Sequence, residues 1–239
     1  AKGPNIINRE NAQRRIVIQA NVSDRDLVGV VQKVQSAIDS KVKLPQGYYV
    51  TYGGQFESQA SASRLIMLLS LFSLAGMFMV LYVHFKSANL ALQVMTSIPL
   101  AFIGAVIGVW LSGGVFSIAT MVGFVTLTGI AARNGIMMIA HYIHLMEYEG
   151  EKFDLAMIYR GTSERIIPVL MTALTASLAL IPLVIAADEP GRELLHPVAV
   201  VIFCGLFSST LLDLTVRPLV FWKFGKKPIS TLLPQAIIP

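Results

Sequence analysis

Long uncharged runs fill the chain beyond residue 60, and a shorter, alternating polar segment precedes them. Residues 65–83 carry no charged side chain, and His84 and Lys86 close the run. Residues 87–132 contain no Asp, Glu, Lys, Arg or His. About 20 apolar residues cross a bilayer, so this second run holds more than one crossing, and Ser112-Gly113-Gly114 breaks it near its middle. Two further apolar runs follow a polar stretch at 147–165 and a polar loop at 188–196. The pattern predicts five membrane helices, at about 60–84, 90–111, 117–145, 166–187 and 197–222. Within the polar stretch, Phe153, Leu155, Met157 and Ile158 recur at helical spacing, which predicts an interfacial amphipathic helix near 151–163.

The first 54 residues read differently. Residues 15–22 alternate β-branched with polar side chains, a strand signal. Ser23 or Asp24 can cap a helix that carries Leu27, Val30, Val31, Val34, Ala37 and Ile38 on one face. Pro45-Gln46-Gly47 makes a turn, and residues 48–52 alternate again up to Gly53-Gly54. The expected unit is an incomplete βαβ piece over residues 1–54, too small to bury a core alone and in need of partner strands. The expected fold class is therefore a multi-pass α-helical membrane protein preceded by a partial βαβ segment. A membrane domain spans 55–225, and a tail spans 226–239.

Composition agrees with the pattern: 54% of the residues are hydrophobic and 14% charged, where soluble domains have about 25% charged. The net charge of +5 does not point to nucleic acid, because the basic residues are not interleaved with aromatics. They cluster instead by loop. Lys86, Lys152, Arg160, Arg165, Lys223, Lys226 and Lys227 fall on one side of the membrane, and only Arg192 on the other, beside Asp188, Glu189 and Glu193. The lysine and arginine bias places the C-terminus in the cytoplasm and the N-terminal segment outside, in the periplasm of a bacterium. The chain begins on Ala1 with no signal peptide, and reads as a piece of something longer.

Arg133 interrupts the most apolar region, and an apolar run continues beyond it to Leu145. A cation within a membrane helix costs at least ~2.5–3.5 kcal/mol on insertion scales, so it marks an interior partner or a watery path. Thr126, Thr128 and Asn134 lie near it on the same predicted helix, and Thr172 and Thr175 can face the same interior from the next. Thr126 and Asn134 are placed to hydrogen-bond Arg133 or ordered water. Asp213 and Arg217, four apart, read as an intrahelical pair near the inner interface. His141 and His144 have a metal-compatible spacing but no convincing third ligand. The ten methionines are scattered without a shared face, and Cys204 is alone, so both read as packing. No bound metal or cofactor is expected.

Several stretches resemble a known family. Asn8-Arg9-Glu10-Asn11, Arg14-Arg15, Ala20-Asn21-Val22 and Arg25-Asp26-Leu27 are similar to the second porter segment of heavy-metal efflux transporters of the resistance-nodulation-division superfamily. Leu44-Pro45-Gln46-Gly47-Tyr48 and Gly53-Gly54-Gln55-Phe56-Glu57 continue the likeness. The run from Gly129 to Ile136 resembles the motif of the family's tenth membrane helix. Arg165, Pro168, Met171-Thr172, Leu180-Ile181-Pro182-Leu183 and His196-Pro197 resemble its last two. The resemblance implies roughly the last quarter of a subunit, with residues 12–54 closing a porter subdomain and the five spans as its eighth to twelfth helices. It further implies a homotrimer in the bacterial inner membrane, bounded by lipid and joined to a periplasmic adaptor and an outer-membrane channel.

The implied activity is proton-driven antiport of a metal cation, not an enzymatic reaction. The proton-coupling residues would be Arg133, Asn134, Thr126 and Thr172. Drug-exporting members usually carry lysine where this chain has Arg133, facing carboxylates on the family's fourth helix. Arginine keeps its proton, so Arg133 reads as a fixed cation whose carboxylate partners titrate. Those partners belong to the rest of the subunit. The alternatives are a truncated, non-transporting membrane scaffold or paralogue, and an exporter of organic compounds. An intramembrane hydrolase finds neither an HExxH motif nor paired membrane aspartates.

Overall fold

A computed structural model of the chain describes residues 8–10, 13–19, 27–52, 55–114, 116–185 and 194–233. The chain divides into two units, residues 1–52 and 53–239.

In the first unit, β1 (Asn8–Glu10) and β2 (Gln13–Arg15) form a small antiparallel hairpin with Arg9 opposite Arg14. Helix α1 (Leu27–Lys41) follows, with Lys41 in the last turn, where a cation complements the exposed carbonyls. Two expectations fail here. Residues 16–19 and 48–52 are not strands, so the βαβ unit is absent among the described residues. The expected strand also extended over 20–22, which lie outside the described residues. The physical reason is the lack of a partner: a ladder needs a second strand to take its N–H and C=O groups. Ile16 and Ile18 are instead 84% and 91% exposed, and Tyr48 and Tyr49 are exposed as well.

Among the described residues, the second unit contains five helices or helix pairs long and apolar enough to cross a membrane. They are α2 (Gln55–Phe85), the pair α3 (Ala88–Met95) and α4 (Ser97–Leu111), α5 (Ile118–Tyr148), α6 (Leu155–Ile185) and α7 (Leu195–Phe224). A short α8 (Lys226–Leu232) follows. Ser87 caps α3 by accepting from the Leu90 N–H, and Ser117 opens α5 in a reciprocal capping box with Thr120.

Two boundaries differ from the sequence reading. The second span is broken at Thr96, between α3 and α4. Pro99, in the first turn of α4, has no N–H to give the carbonyl of Met95, and its ring crowds that carbonyl. The separate interfacial helix expected near 151–163 is the opening of α6, which runs unbroken through Pro168 and Pro182.

Helix α7 is the hub, packing on α4, α5 and α6. One core joins Ala101 and Ala105 of α4, Leu127 and Ala131 of α5, and Val201 of α7. The small alanines bring the helix axes close, as lipid-immersed helices require when dispersion is their main attraction. Glycines tighten the same seam: a side-chain carbon at Gly205 would run into Leu127, and one at Gly104 into Cys204 and Ser208. A larger core gathers Leu90, Val94, Tyr142, Leu145, Met157, Phe221 and Ile229. Helices α2 and α6 are peripheral, since only 6% and 11% of their apolar windows are buried.

A polar groove beside Arg133

A groove of about 490 Å³ opens between α5 and α6, with Leu206 of α7 at its floor. Thr126, Ile130 and Arg133 line it from α5, and Thr172 and Ala176 from α6. The i, i+4, i+7 spacing puts the three α5 residues in one stripe, and the i, i+4 spacing does the same on α6. The opposite face of α5, with Leu127, Ala131 and Gly135, is buried against α4 and α7. That packing fixes the rotation of the helix and leaves Arg133 on its open side.

All four residues expected from the sequence, Arg133, Asn134, Thr126 and Thr172, line this one groove. Asn134 is 5% exposed, whereas Arg133, Thr126 and Thr172 are exposed. Arg133 has no hydrogen-bond or ion-pair partner among the described residues. Of the two partners expected for Thr126 and Asn134, Arg133 or ordered water, neither side chain bonds Arg133 here. The Thr126 hydroxyl donates to the Val122 carbonyl at 2.9 Å, and Thr172 to the Val169 carbonyl at 2.9 Å. Helical threonines commonly bond their own backbone in this way, which leaves their oxygen lone pairs facing the groove. Thr175 likewise bonds Met171 and Thr172.

The chemistry this arrangement permits is limited and specific. A permanently charged, planar donor stands at a polar notch in an apolar bundle, and can accept a bidentate carboxylate. Among the described residues that line the groove, Arg133 is the one ionisable side chain. The described residues contain no group of three or more His, Cys, Asp or Glu able to hold a metal. His141 serves another purpose: its Nε2 is 2.8 Å from Glu164 Oε2, and Arg165 Nη2 lies 3.3 Å from its Nδ1. The ring of His144 stacks at 6.5 Å from that of His141.

A second polar cluster is only partly legible in the sequence. The Asp213–Arg217 pair forms, with Nη2 2.6 Å from Oδ1. Both residues are 2% exposed, and the guanidinium also reaches Ser97 and the Gln93 carbonyl. Ser97 and Gln93 carried no signal of their own, because they meet Arg217 only through tertiary packing across more than a hundred residues.

Comparison with known proteins gives this architecture a lineage. The model of the AcrB/AcrD/AcrF family matches residues 1–225. The chain belongs to that family. Relatives within the family include Protein HelA of Legionella pneumophila, 41% identical over 238 residues, covering 98% of this chain and 22% of HelA. The cobalt-zinc-cadmium resistance protein CzcA of Cupriavidus metallidurans is 41% identical, covering 92% and 20%. The cation efflux system protein CusA of Escherichia coli is 31% identical, covering 92% and 22%. A crystal structure of a heavy metal efflux pump superposes with a TM-score of 0.73 at 32% identity, over 86% of this chain and 20% of that one. The chain thus spans about a fifth of the length of the family members it matches. It is a multi-pass helical stretch of a resistance-nodulation-division membrane protein.

Proposed function

We propose that this chain is the C-terminal part of an inner-membrane, proton-driven antiporter subunit that exports heavy-metal cations. The observation that carries the reading is Arg133: an exposed cation in the middle of an apolar span, without a partner among the described residues, in a groove that also collects Asn134, Thr126 and Thr172. A charge so placed requires a counter-charge, and the described spans offer none in the groove. The partner carboxylates come from membrane helices outside this chain. The relatives named for cobalt, zinc, cadmium and cation efflux support a metal cation as the cargo.

Arg133 acts as a fixed electrostatic post. It favours the ionised form of a carboxylate beside it and holds up to two oxygens at once. A proton arriving from the periplasmic side neutralises the carboxylate, and the pair loosens. The proton leaving towards the cytoplasm restores the ion pair. Asn134 and the threonine oxygens supply neutral hydrogen-bonding positions for water along that path. The alternation of the pair moves helices that carry the porter segment. In the complete subunit, residues 12–54 gain partner strands and form the βαβ unit, which is absent here among the described residues.

Three copies of the complete subunit form a homotrimer that works with a periplasmic adaptor and an outer-membrane channel, with residues 1–54 of this chain periplasmic and its C-terminus cytoplasmic. A metal-sensitivity profile tests this reading. A strain lacking the complete gene should regain metal tolerance from the intact gene and not from one carrying Arg133→Ala. Equal tolerance from both would sink the proposal.

A further inference from the structure

Arg133 and Gly135 are two residues apart, about 200° around the helix, so Gly135 faces away from the groove. It faces Arg217. A side-chain carbon at Gly135 would stand 2.7 Å from Ser97 Oγ, 2.9 Å from Arg217 Nη1 and 3.0 Å from Nη2. The helix bearing Arg133 therefore rests on a guanidinium supplied by α7.

That guanidinium is itself held on several sides. Its Nη2 donates to Asp213 Oδ1 at 2.6 Å and to Ser97 Oγ, and its Nη1 donates to the Gln93 carbonyl at 3.3 Å. Ser209 donates to the second Asp213 oxygen at 3.0 Å. The Gln93 carbonyl belongs to the last turn of α3, next to the break at Thr96, and Thr96 Oγ1 also donates to it at 2.6 Å. A helix end carries partial negative charge on its free carbonyls, which a buried cation complements. One residue of α7 thus touches the end of α3, the start of α4 and the notch in α5.

We propose that Arg217 is a positioning residue for the groove: with Asp213 it clamps the α3/α4 break to α7 and gives α5 a fixed seat at Gly135, which sets where Arg133 stands. The inference rests on the reading of Arg133 as the coupling cation. An ion pair serving only α7 would need Asp213 and Arg217 alone. The added bonds to Gln93 and Ser97, and a glycine where any side chain would collide, belong to a junction between helices. The planar fork matters here, since a lysine keeps the charge but cannot address Asp213, Ser97 and the Gln93 carbonyl with the same rigid geometry.

The test uses the complete transporter in lipid nanodiscs, free of other cysteines, with spin labels at Val125 of α5 and Leu211 of α7. Both positions are exposed. Labelled subunits are diluted into unlabelled ones. Arg217→Met alone strands a buried carboxylate and endangers folding, so the informative variant is Asp213→Leu/Arg217→Met, which removes both charges together. The clamp predicts that the label distance shifts by more than the ~1.5 Å rise of one helical residue, and that export falls at least tenfold with trimer content unchanged. Gly135→Ala should shift the distance too. Gly129→Ala, whose added carbon meets nothing within 4 Å, should not. Arg217→Lys should recover only part of the export lost in the double variant.

An unchanged distance in a folded Asp213→Leu/Arg217→Met protein overturns the proposal, as does a shifted distance with undiminished export. The distance measurement does not depend on transport. Normal export by Arg133→Ala would therefore refute the coupling reading while leaving the displacement of α5 a separate, visible result.

Discussion

His141 Nε2 lies 2.8 Å from Glu164 Oε2, while Arg165 Nη2 approaches the other ring nitrogen at 3.3 Å. A guanidinium can only donate, so Nδ1 is the acceptor and Nε2 carries the proton given to Glu164. Helices α5 and α6, the two walls of the groove, are thereby tied at a point eight residues along α5 from Arg133. Arg160 extends the tie, reaching Glu164 at 2.9 Å, Glu151 at 2.7 Å and Glu149 at 2.5 Å.

This arrangement fixes a tautomer. Nitrogen-15 spectra of histidine-labelled protein near neutral pH should show His141 with its proton on Nε2. A proton on Nδ1 would contradict the geometry. Glu164→Ala should have little effect on stability, because the carboxylate is solvent-exposed and such pairs are well screened.

The seam between α5 and α7 makes a stronger demand. Leu127 is fully buried, and a carbon added at Gly205 would overlap its side chain. Gly205→Ala should therefore destabilise the bundle by about 1–3 kcal/mol, the usual range for overpacking a tight core. Thermal or denaturant unfolding in detergent checks this. Gly76→Ala on α2, where an added carbon meets nothing within 4 Å, is the control and should be neutral.

Much of the membrane unit was legible before the structure, because a lipid-spanning helix must be long and apolar and its ends must carry polar or charged residues. The stripe of Thr126 and Arg133 was legible too, since a spacing of seven is two turns whatever surrounds the helix. The break at Thr96 lies inside the unbroken hydropathy of 90–111, where Pro99 is its one local mark. The seat of Arg217 was not legible, because nothing in the apolar run around Gln93 and Ser97 says which distant side chain will reach them. The βαβ reading failed for a related reason. Alternation in residues 15–22 and 48–52 reports a tendency to pair, and pairing depends on strands that must come from elsewhere.

The proposed orientation rests on the lysine and arginine bias of the loops and is open to a direct check. Single cysteines at Ser230 and Glu189 should label from opposite sides of the inner membrane. Ser230 should react with a membrane-impermeant thiol reagent only after the membrane is opened, and Glu189 in intact spheroplasts. The reverse pattern would invert the topology.

The central claim is that Arg133 is the fixed cation against which carboxylates of the rest of the subunit gain and lose protons. On that proposal, removing it withdraws the positive charge that favours their ionised form. They then remain protonated and stop cycling. Arg133→Lys keeps the charge without the planar fork and should retain partial activity if charge matters more than bidentate geometry. The most direct measurement is metal-cation efflux by the complete transporter in proteoliposomes under an imposed proton gradient, at matched protein and trimer content. The account predicts that Arg133→Ala abolishes proton-driven efflux while assembly is preserved; efflux at the unaltered rate would reduce Arg133 to a structural charge and contradict it.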